Sequence, residues 1–182
     1  FAWGLNISNL GSKISYKSGS DKQFIPANLK LGARYTFQMD EYNSISAAVE
    51  VSKLLVPTPP VWADTTNDNI DNRVIVDGKP TPSSLPKSWI QSFYDAPDGF
   101  REEMQEIIYS VGLEYWYREQ FAIRGGYFHE SAEKGNRKFF AVGIGLKLNV
   151  FSLDYSYLIS TTGRSNPLAN TMRFTIGFLF ND

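Results

Sequence analysis

Few residues in this chain have the types and spacing that catalysis needs. His129 is the only histidine, and it stands beside Glu130 and Ser131. A Ser-His-acid hydrolase needs its base held by a third group close to the nucleophile, and neighbours in sequence at the end of a strand do not supply that geometry. One histidine without any cysteine also falls short of a zinc site, which draws on several such ligands. The sequence therefore predicts no enzyme, no metal site and no cofactor, with His129 as an exposed loop residue.

Two further patterns lack the context that a nucleotide or nucleic-acid site requires. Gly143 and Gly145 lie within a strand-like run and not at a strand-to-helix turn, so they do not form a phosphate-binding loop. We interpret them as space for neighbouring side chains. The formal charge of -1, from 18 basic and 19 acidic residues, gives no reason to propose nucleic acid as a partner.

The elements that would position any site are strands. Apolar and polar residues alternate with a period of two in eight segments, which predicts half-exposed β-strands. Between them the connections are in turn long and short, as in outer-membrane barrels, whose turns are tight on one side and extended on the other. The predicted strands cover residues 1–8, 28–39, 44–53, 107–117, 121–129, 138–148, 150–159 and 171–180.

Composition favours a membrane barrel over a soluble fold. Aromatic residues reach 15%, yet the mean hydropathy is only -0.28, which suits strands with one lipid-facing side and a polar lumen. No run approaches the roughly 18 to 20 apolar residues of a membrane helix. The alternative is a soluble β-sandwich, but its strands average about five or six residues, and most runs here are about ten. The predicted class is all-β, a transmembrane antiparallel barrel formed by residues 1–182 as one domain.

The charged residues in the middle of these strands all fall on the polar face. We predict that they form a charge network that stiffens the barrel, and the alternative is a permeation path through the lumen. The set comprises Lys30, Arg34, Glu50, Glu114, Arg124, Lys147, Asp154 and Arg173.

The connection over residues 54–106 is too long for a plain loop, and such loops are usually functional or disordered. It opens with a proline-rich run and continues with a polar, mobile stretch over residues 64–77. A helix is predicted to start at residues 84–87 and to include residues 89–94, and a second, over residues 100–106, is predicted to be capped by Asp98. The large apolar groups of this loop either fold onto the barrel mouth or form a binding surface. The predicted partner-binding residues, with those of a second loop, are Trp62, Trp89, Ile90, Phe93, Tyr94, Phe100, Lys134, Asn136 and Arg137.

Several stretches, in order, resemble the PorV family of type IX secretion system proteins. They lie at residues 53–60, 92–100 running into Glu102 and Glu103, 114–117, 124–128, 134–138 and 166–171 with Arg173 and Phe174. The resemblance extends over nearly the whole chain from residue 28. It implies a FadL-like barrel of about 14 strands, so that about eight lie in this chain and the rest, with a plug region, precede Phe1. The lack of an initiator Met and of a leader agrees with a fragment.

The resemblance also implies a role. PorV-like proteins sit in the outer membrane of Bacteroidetes, among its lipid and lipopolysaccharide. They associate with the giant translocon barrel, bind the C-terminal domain of cargo proteins, and shuttle them to the attachment complex that contains the sortase. Two alternatives stay open: a FadL-like channel for hydrophobic molecules, and a lipopolysaccharide deacylase.

Overall fold

The computed structural model describes residues 1–15, 22–63, 74–161 and 170–178. Within these ranges antiparallel strands dominate, so the predicted all-β class is confirmed. Neither helix in this part of the chain has the length and apolar character needed to cross a membrane. The elements are β1 Ala2–Ser8, β2 Asn28–Gln38, β3 Asn43–Leu54, β4 Val61–Trp62, β5 Ile75–Asp77, α1 Leu85–Gln91, α2 Phe100–Gln105, β6 Ile107–Tyr117, β7 Phe121–His129, β8 Lys138–Lys147, β9 Phe151–Ser160 and β10 Met172–Phe178.

The eight predicted strands correspond to the eight strands of one large sheet. Its order is β1-β2-β3-β6-β7-β8-β9-β10. Strands of this sheet that follow one another along the chain are therefore hydrogen-bonded neighbours. Each described boundary differs from its predicted one by at most about one residue, because strict alternation marks both ends of a strand clearly. The predicted end of the last strand, at Phe180, lies outside the described residues, as does most of the connection before β10.

The chain divides into two compact units. One, here called the sheet unit, comprises Phe1–Gly4, Leu31–Val51 and Ile108–Asp182. The other, the loop unit, comprises Leu5–Lys30 and Ser52–Ile107.

The sheet unit presents large apolar side chains to its surroundings. On β10, Phe174 is 67% exposed and Ile176 is 60% exposed, and the same pattern holds for Val142 and Ile144 on β8. The opposite, polar face instead contains the buried positions, among them Ala122. A soluble sandwich covers its apolar face with a second sheet, and no second sheet is found among the described residues of this unit. An apolar surface of this extent requires another apolar phase or a partner to cover it.

Aromatic pairs reinforce the apolar face across neighbouring strands. Tyr155 on β9 lies opposite Phe174 on β10, with ring centroids 4.9 Å apart. Tyr127 on β7 lies opposite Phe140 on β8 at 4.8 Å. Such cross-strand pairs contribute about 0.5 to 1 kcal/mol each and help fix the strand register.

The short turn between β6 and β7 carries local backbone strain. Arg118 and Glu119 both have positive φ, 53° and 54°, a region that costs residues with a Cβ about 1 kcal/mol or more. The Arg118 N–H donates to the Tyr42 carbonyl at 2.6 Å, and the Gln120 N–H donates to that of Tyr117 at 3.0 Å. The guanidinium of Arg118 also lies over the Tyr42 ring. These contacts offset the strain and hold the turn tight.

The loop unit contains two helices close to the predicted positions. Helix α1 starts after Ser84 as predicted, with Pro86 in its first turn, where the missing N–H costs no hydrogen bond. It ends at Gln91, so the predicted extension to Tyr94 was wrong. The next two N–H groups, of Phe93 and Tyr94, donate to the carbonyls three residues back, at 3.3 and 2.9 Å, so the chain leaves the helix in a tighter turn.

The predicted capping of α2 by Asp98 was also wrong. The N-cap is Gly99, whose φ of 63° is readily adopted only without a Cβ. The Glu102 side chain reaches back instead and accepts a hydrogen bond from the Asp98 N–H at 3.0 Å.

The stretch over residues 64–77, predicted as polar and mobile, contains a short strand at its end, which its polar composition does not predict. Ile75–Asp77 form β5, which pairs antiparallel with the two residues of β4. Residues 64–73 lie outside the described part of the chain. The two long connections of the loop unit also meet, since the Leu55 N–H donates to the Ala27 carbonyl at 2.8 Å and both residues are buried.

Candidate functional site

Four of the predicted charged residues form a continuous chain of ion pairs on the polar face of the sheet unit. Arg34 contacts Glu114 at 2.6 Å, and Arg124 contacts the other oxygen of Glu114 at 2.5 Å. Arg124 also pairs with Asp154. Because each carboxylate has an arginine partner, the four charges neutralise one another.

Strand register explains how this chain of ion pairs forms. Glu114 on β6 lies directly opposite Arg124 on β7, and Gly143 is the next residue in that row. Asp154 belongs to the adjacent row, opposite Gly145. A Cβ on Gly145 would lie 2.8 Å from the Asp154 carboxylate and 2.9 Å from the Arg124 guanidinium. The interpretation of this glycine as space for neighbouring side chains is therefore confirmed.

The remaining predicted network residues lie outside this four-residue chain. Lys147 and Arg173 are exposed near the ends of β8 and β10, Glu50 is on β3, and Lys30 belongs to the loop unit. Beside the ion pairs, a cavity of about 440 Å³ is lined by Arg34, Glu114 and Arg124 together with small residues such as Gly112 and Gly126. The ion pairs thus join side chains from β2, β6, β7 and β9, and an open space lies next to them.

Three of the predicted partner-binding residues share one apolar pocket in the loop unit. Trp89 and Ile90 from α1, and Phe93 just after it, line a cavity of about 440 Å³. The rest of the lining is aliphatic: Ile7, Leu10, Leu29 and Leu55. Ile90 is 65% exposed and Phe93 49% exposed, so the pocket has a wide apolar rim. This is the arrangement expected of a surface that buries apolar groups of another molecule.

The other loop aromatics lie elsewhere on the loop unit. Trp62 is exposed on β4, and Phe100, 79% exposed, begins α2. The ring of Tyr94 lies under the Lys79 ammonium, 3.9 Å from its centroid. None of the three contributes to the lining of the pocket.

The second predicted loop, over residues 130–137, is closed by an ion pair. Arg137 donates two hydrogen bonds to the Glu130 carboxylate, at 2.7 and 2.8 Å, and Glu130 is buried. These bonds lower the pKa of Glu130 and raise that of Arg137. Asn136 has a positive φ of 55°, and its N–H donates to the Ser131 carbonyl at 2.9 Å. Lys134 closes the same turn, because its N–H also donates to that carbonyl. Of the three predicted residues here, Arg137 is thus already engaged within the chain.

A buried charged cluster in the loop unit was not predicted. Lys53, at the end of β3, contacts Glu103 at 3.0 Å and Glu106 at 2.5 Å, and the Thr58 hydroxyl donates to Glu106 at 2.6 Å. Glu103 also accepts the Ala96 N–H at 3.0 Å. The family-like stretches at residues 53–60 and 92–103 contain all of these residues except Glu106, but the spacing of the stretches does not show that they meet.

His129 is the last residue of β7 and is half-buried, so its prediction as an exposed loop residue was wrong. Its Nδ1 lies 3.4 Å from the Tyr127 hydroxyl, a long contact. Among the described residues no group of three or more acidic or histidine side chains could hold a metal ion. No Ser-His-acid arrangement is formed by the contacts found around His129.

Comparison with known proteins supports the resemblance in the sequence. The family model described as type IX secretion system protein PorV matches residues 1–61. The matched part includes the proline-rich stretch at residues 53–60 and also residues 1–27, which precede the motifs that carry the resemblance. No curated protein matches the chain. The resemblance to the PorV family of type IX secretion system proteins is thus confirmed over the first 61 of the 182 residues.

Proposed function

We propose that this protein is an outer-membrane component of the type IX secretion system, which binds the C-terminal domain of cargo at the giant translocon barrel. It then shuttles the cargo to the attachment complex that contains the sortase. The match to the PorV family supports a place in this system. The cargo-binding role is the finer part of the proposal, and the surface of the loop unit supports it.

Placement in the membrane is supported by the two-faced strands of the sheet unit. Burying apolar side chains gains about 25 cal/mol per Å² removed from water, so leaving the face around Phe174, Ile176 and Val142 in water would be costly. Hydrocarbon covers such a face without any partner protein. The ion pairs around Arg124 suit the inner face of a closed barrel of about 14 strands.

Partner binding is carried by one observation, the apolar pocket and rim formed by Trp89, Ile90 and Phe93. Large aromatic side chains that enter or frame a pocket supply most of the free energy in many interfaces. A partner that covers this rim removes its apolar surface from water, and this burial stabilises the complex. The pocket therefore makes the loop unit the best candidate for holding cargo or the translocon.

The experiment is a pull-down from detergent-solubilised membranes with Trp89→Ala and Phe93→Ala combined. Cargo and the very large translocon barrel are expected to co-purify with the wild type and to be lost from the double variant. The variant should remain heat-modifiable on gels, which shows an intact barrel. A matched control, Lys87→Ala with Arg101→Ala, changes exposed residues of the same unit and should retain both partners. Normal recovery of cargo with the aromatic variant would remove the pocket from the mechanism.

A FadL-like channel for hydrophobic molecules is the second candidate, because the same pocket has a wholly apolar lining. Uptake of a labelled long-chain fatty acid into cells would then depend on Trp89 and Phe93, while cargo secretion would not. For a lipopolysaccharide deacylase no such observation exists. His129→Ala is expected to leave lipid A unchanged.

A further inference from the structure

The carboxyl group of Asp95 is buried in the loop unit. Asp95 lies in the turn between α1 and α2, and only 1% of its surface is exposed. Neither of its oxygens makes a well-directed hydrogen bond within the described residues. A buried polar group without partners costs about 1 to 3 kcal/mol, and an ionised one costs more.

The charges around Asp95 make its ionised form unfavourable. Glu103 and Glu106 lie near it, and Lys53 already contacts both of them. With Asp95 ionised, three carboxylates would share one ammonium group. The segment after β5 adds Asp77, whose carboxylate accepts the Gly78 N–H, and Lys79, which is held over the Tyr94 ring.

The pKa of Asp95 follows from this environment. Burial chiefly, together with the repulsion from Glu103 and Glu106, raises this pKa from 3.8 to about 6. The Thr58 backbone N–H and the Gln91 side chain lower the pKa, but their effect is smaller than that of burial and repulsion together.

We propose that Asp95 is a proton-operated latch of the loop unit: its neutral carboxyl group keeps the turn over residues 92–99 closed, and its ionised form favours opening of the turn to water. When the turn opens, water hydrates the carboxylate and separates it from Glu103 and Glu106. The same turn holds Phe93 at the apolar pocket, so its opening changes the binding surface. Only this last consequence rests on the proposed function.

The sign and window of the effect follow from the two pKa values. A carboxyl group whose pKa is raised in the closed state stabilises that state relative to the open one at low pH, and this advantage falls as the pH rises from about 4 to about 6. If the open turn restores the ordinary value, its population increases on the order of 50-fold from pH 4 to pH 7, and most of the change occurs below pH 6.

Hydrogen exchange of the purified protein in detergent micelles tests the latch without any partner. Protection factors of amides 92–99, corrected for intrinsic exchange at each pH, are expected to fall between pH 4 and pH 7 in the wild type. Asp95→Asn should remove most of this dependence. Asp98→Asn is the matched control, because Asp98 is exposed in the same segment, and it should behave as the wild type.

Two outcomes would overturn the proposal: wild-type protection that stays constant or rises from pH 4 to pH 7, or equal pH dependence in the wild type and Asp95→Asn. The wild-type profile decides the matter even if Asp95→Asn does not fold. Failure of the latch would leave the pull-down result untouched, so the two hypotheses are separable.

Discussion

Replacing Lys53 with methionine removes the positive charge between Glu103 and Glu106. The exposed fraction of the Lys53 side chain is 7%, and those of the two glutamates are 9% and 13%, so water does not replace the lost partner without local opening. Breaking a buried ion pair by removing one partner costs about 3 to 5 kcal/mol. We expect a loss of this size in the local stability of the loop unit.

Native-state hydrogen exchange of the amides in α2 measures this loss, because it reports the free energy of local opening. A loss of about 3 kcal/mol or more corresponds to exchange faster by roughly 100-fold or more. Combining Lys53→Met with Glu103→Gln and Glu106→Gln removes the unpaired charges and should recover part of the protection. Lys87→Met, at an exposed position in α1, is the control and should change stability by less than about 0.5 kcal/mol. Equal exchange in the two lysine variants would refute the assignment of a buried, stabilising cluster.

The sheet unit and the second loop give two further predictions. Gly145→Ala places a Cβ against Asp154 and Arg124 and should destabilise the folded sheet by about 1 to 3 kcal/mol, seen as a lower temperature of heat modification, whereas Gly125→Ala enters open space and should have little effect. An equal effect of the two would contradict the packing described around Arg124. Glu130→Gln should speed tryptic cleavage at Arg137 at pH 7, while Glu133→Gln should not. Because the pKa of Glu130 is lowered, the stabilisation of the loop by this ion pair is present above the ordinary value of 4.5 and is lost as the pH falls below it. Unchanged cleavage in Glu130→Gln would show that the ion pair does not hold this loop.

The strands could be predicted from the sequence because their signal is local. Alternation along residues such as Phe174, Thr175 and Ile176 predicts both a β-strand and which of its two faces is apolar. The pairing between charged residues could not be predicted in the same way. Arg34 and Glu114 are 80 residues apart, and their contact depends on which strands become neighbours in the sheet.

The loop unit was predicted less well because its contacts are distant and its polar groups are buried. Lys53 and Glu103 are 50 residues apart, and from its own sequence surroundings each would be expected to be an ordinary charged residue on the surface. Asp98 has the residue type of a helix cap, but the positive φ of Gly99 places the helix start one residue later. Asp95 lies in a family-like stretch, but the sequence does not mark its carboxyl group as unusual, since this character comes from burial and not from its neighbours in sequence.

The alternation of environment along one strand tests the central proposal most directly. The chain has no cysteine, so single cysteines at residues 172–177 of β10 can each carry a solvent-sensitive fluorophore in lipid vesicles. We predict that the probe at Phe174 and Ile176 emits as in hydrocarbon and that the probe at Arg173 and Thr175 emits as in water. The same emission at all positions, or the reverse pattern, would contradict a membrane-embedded barrel.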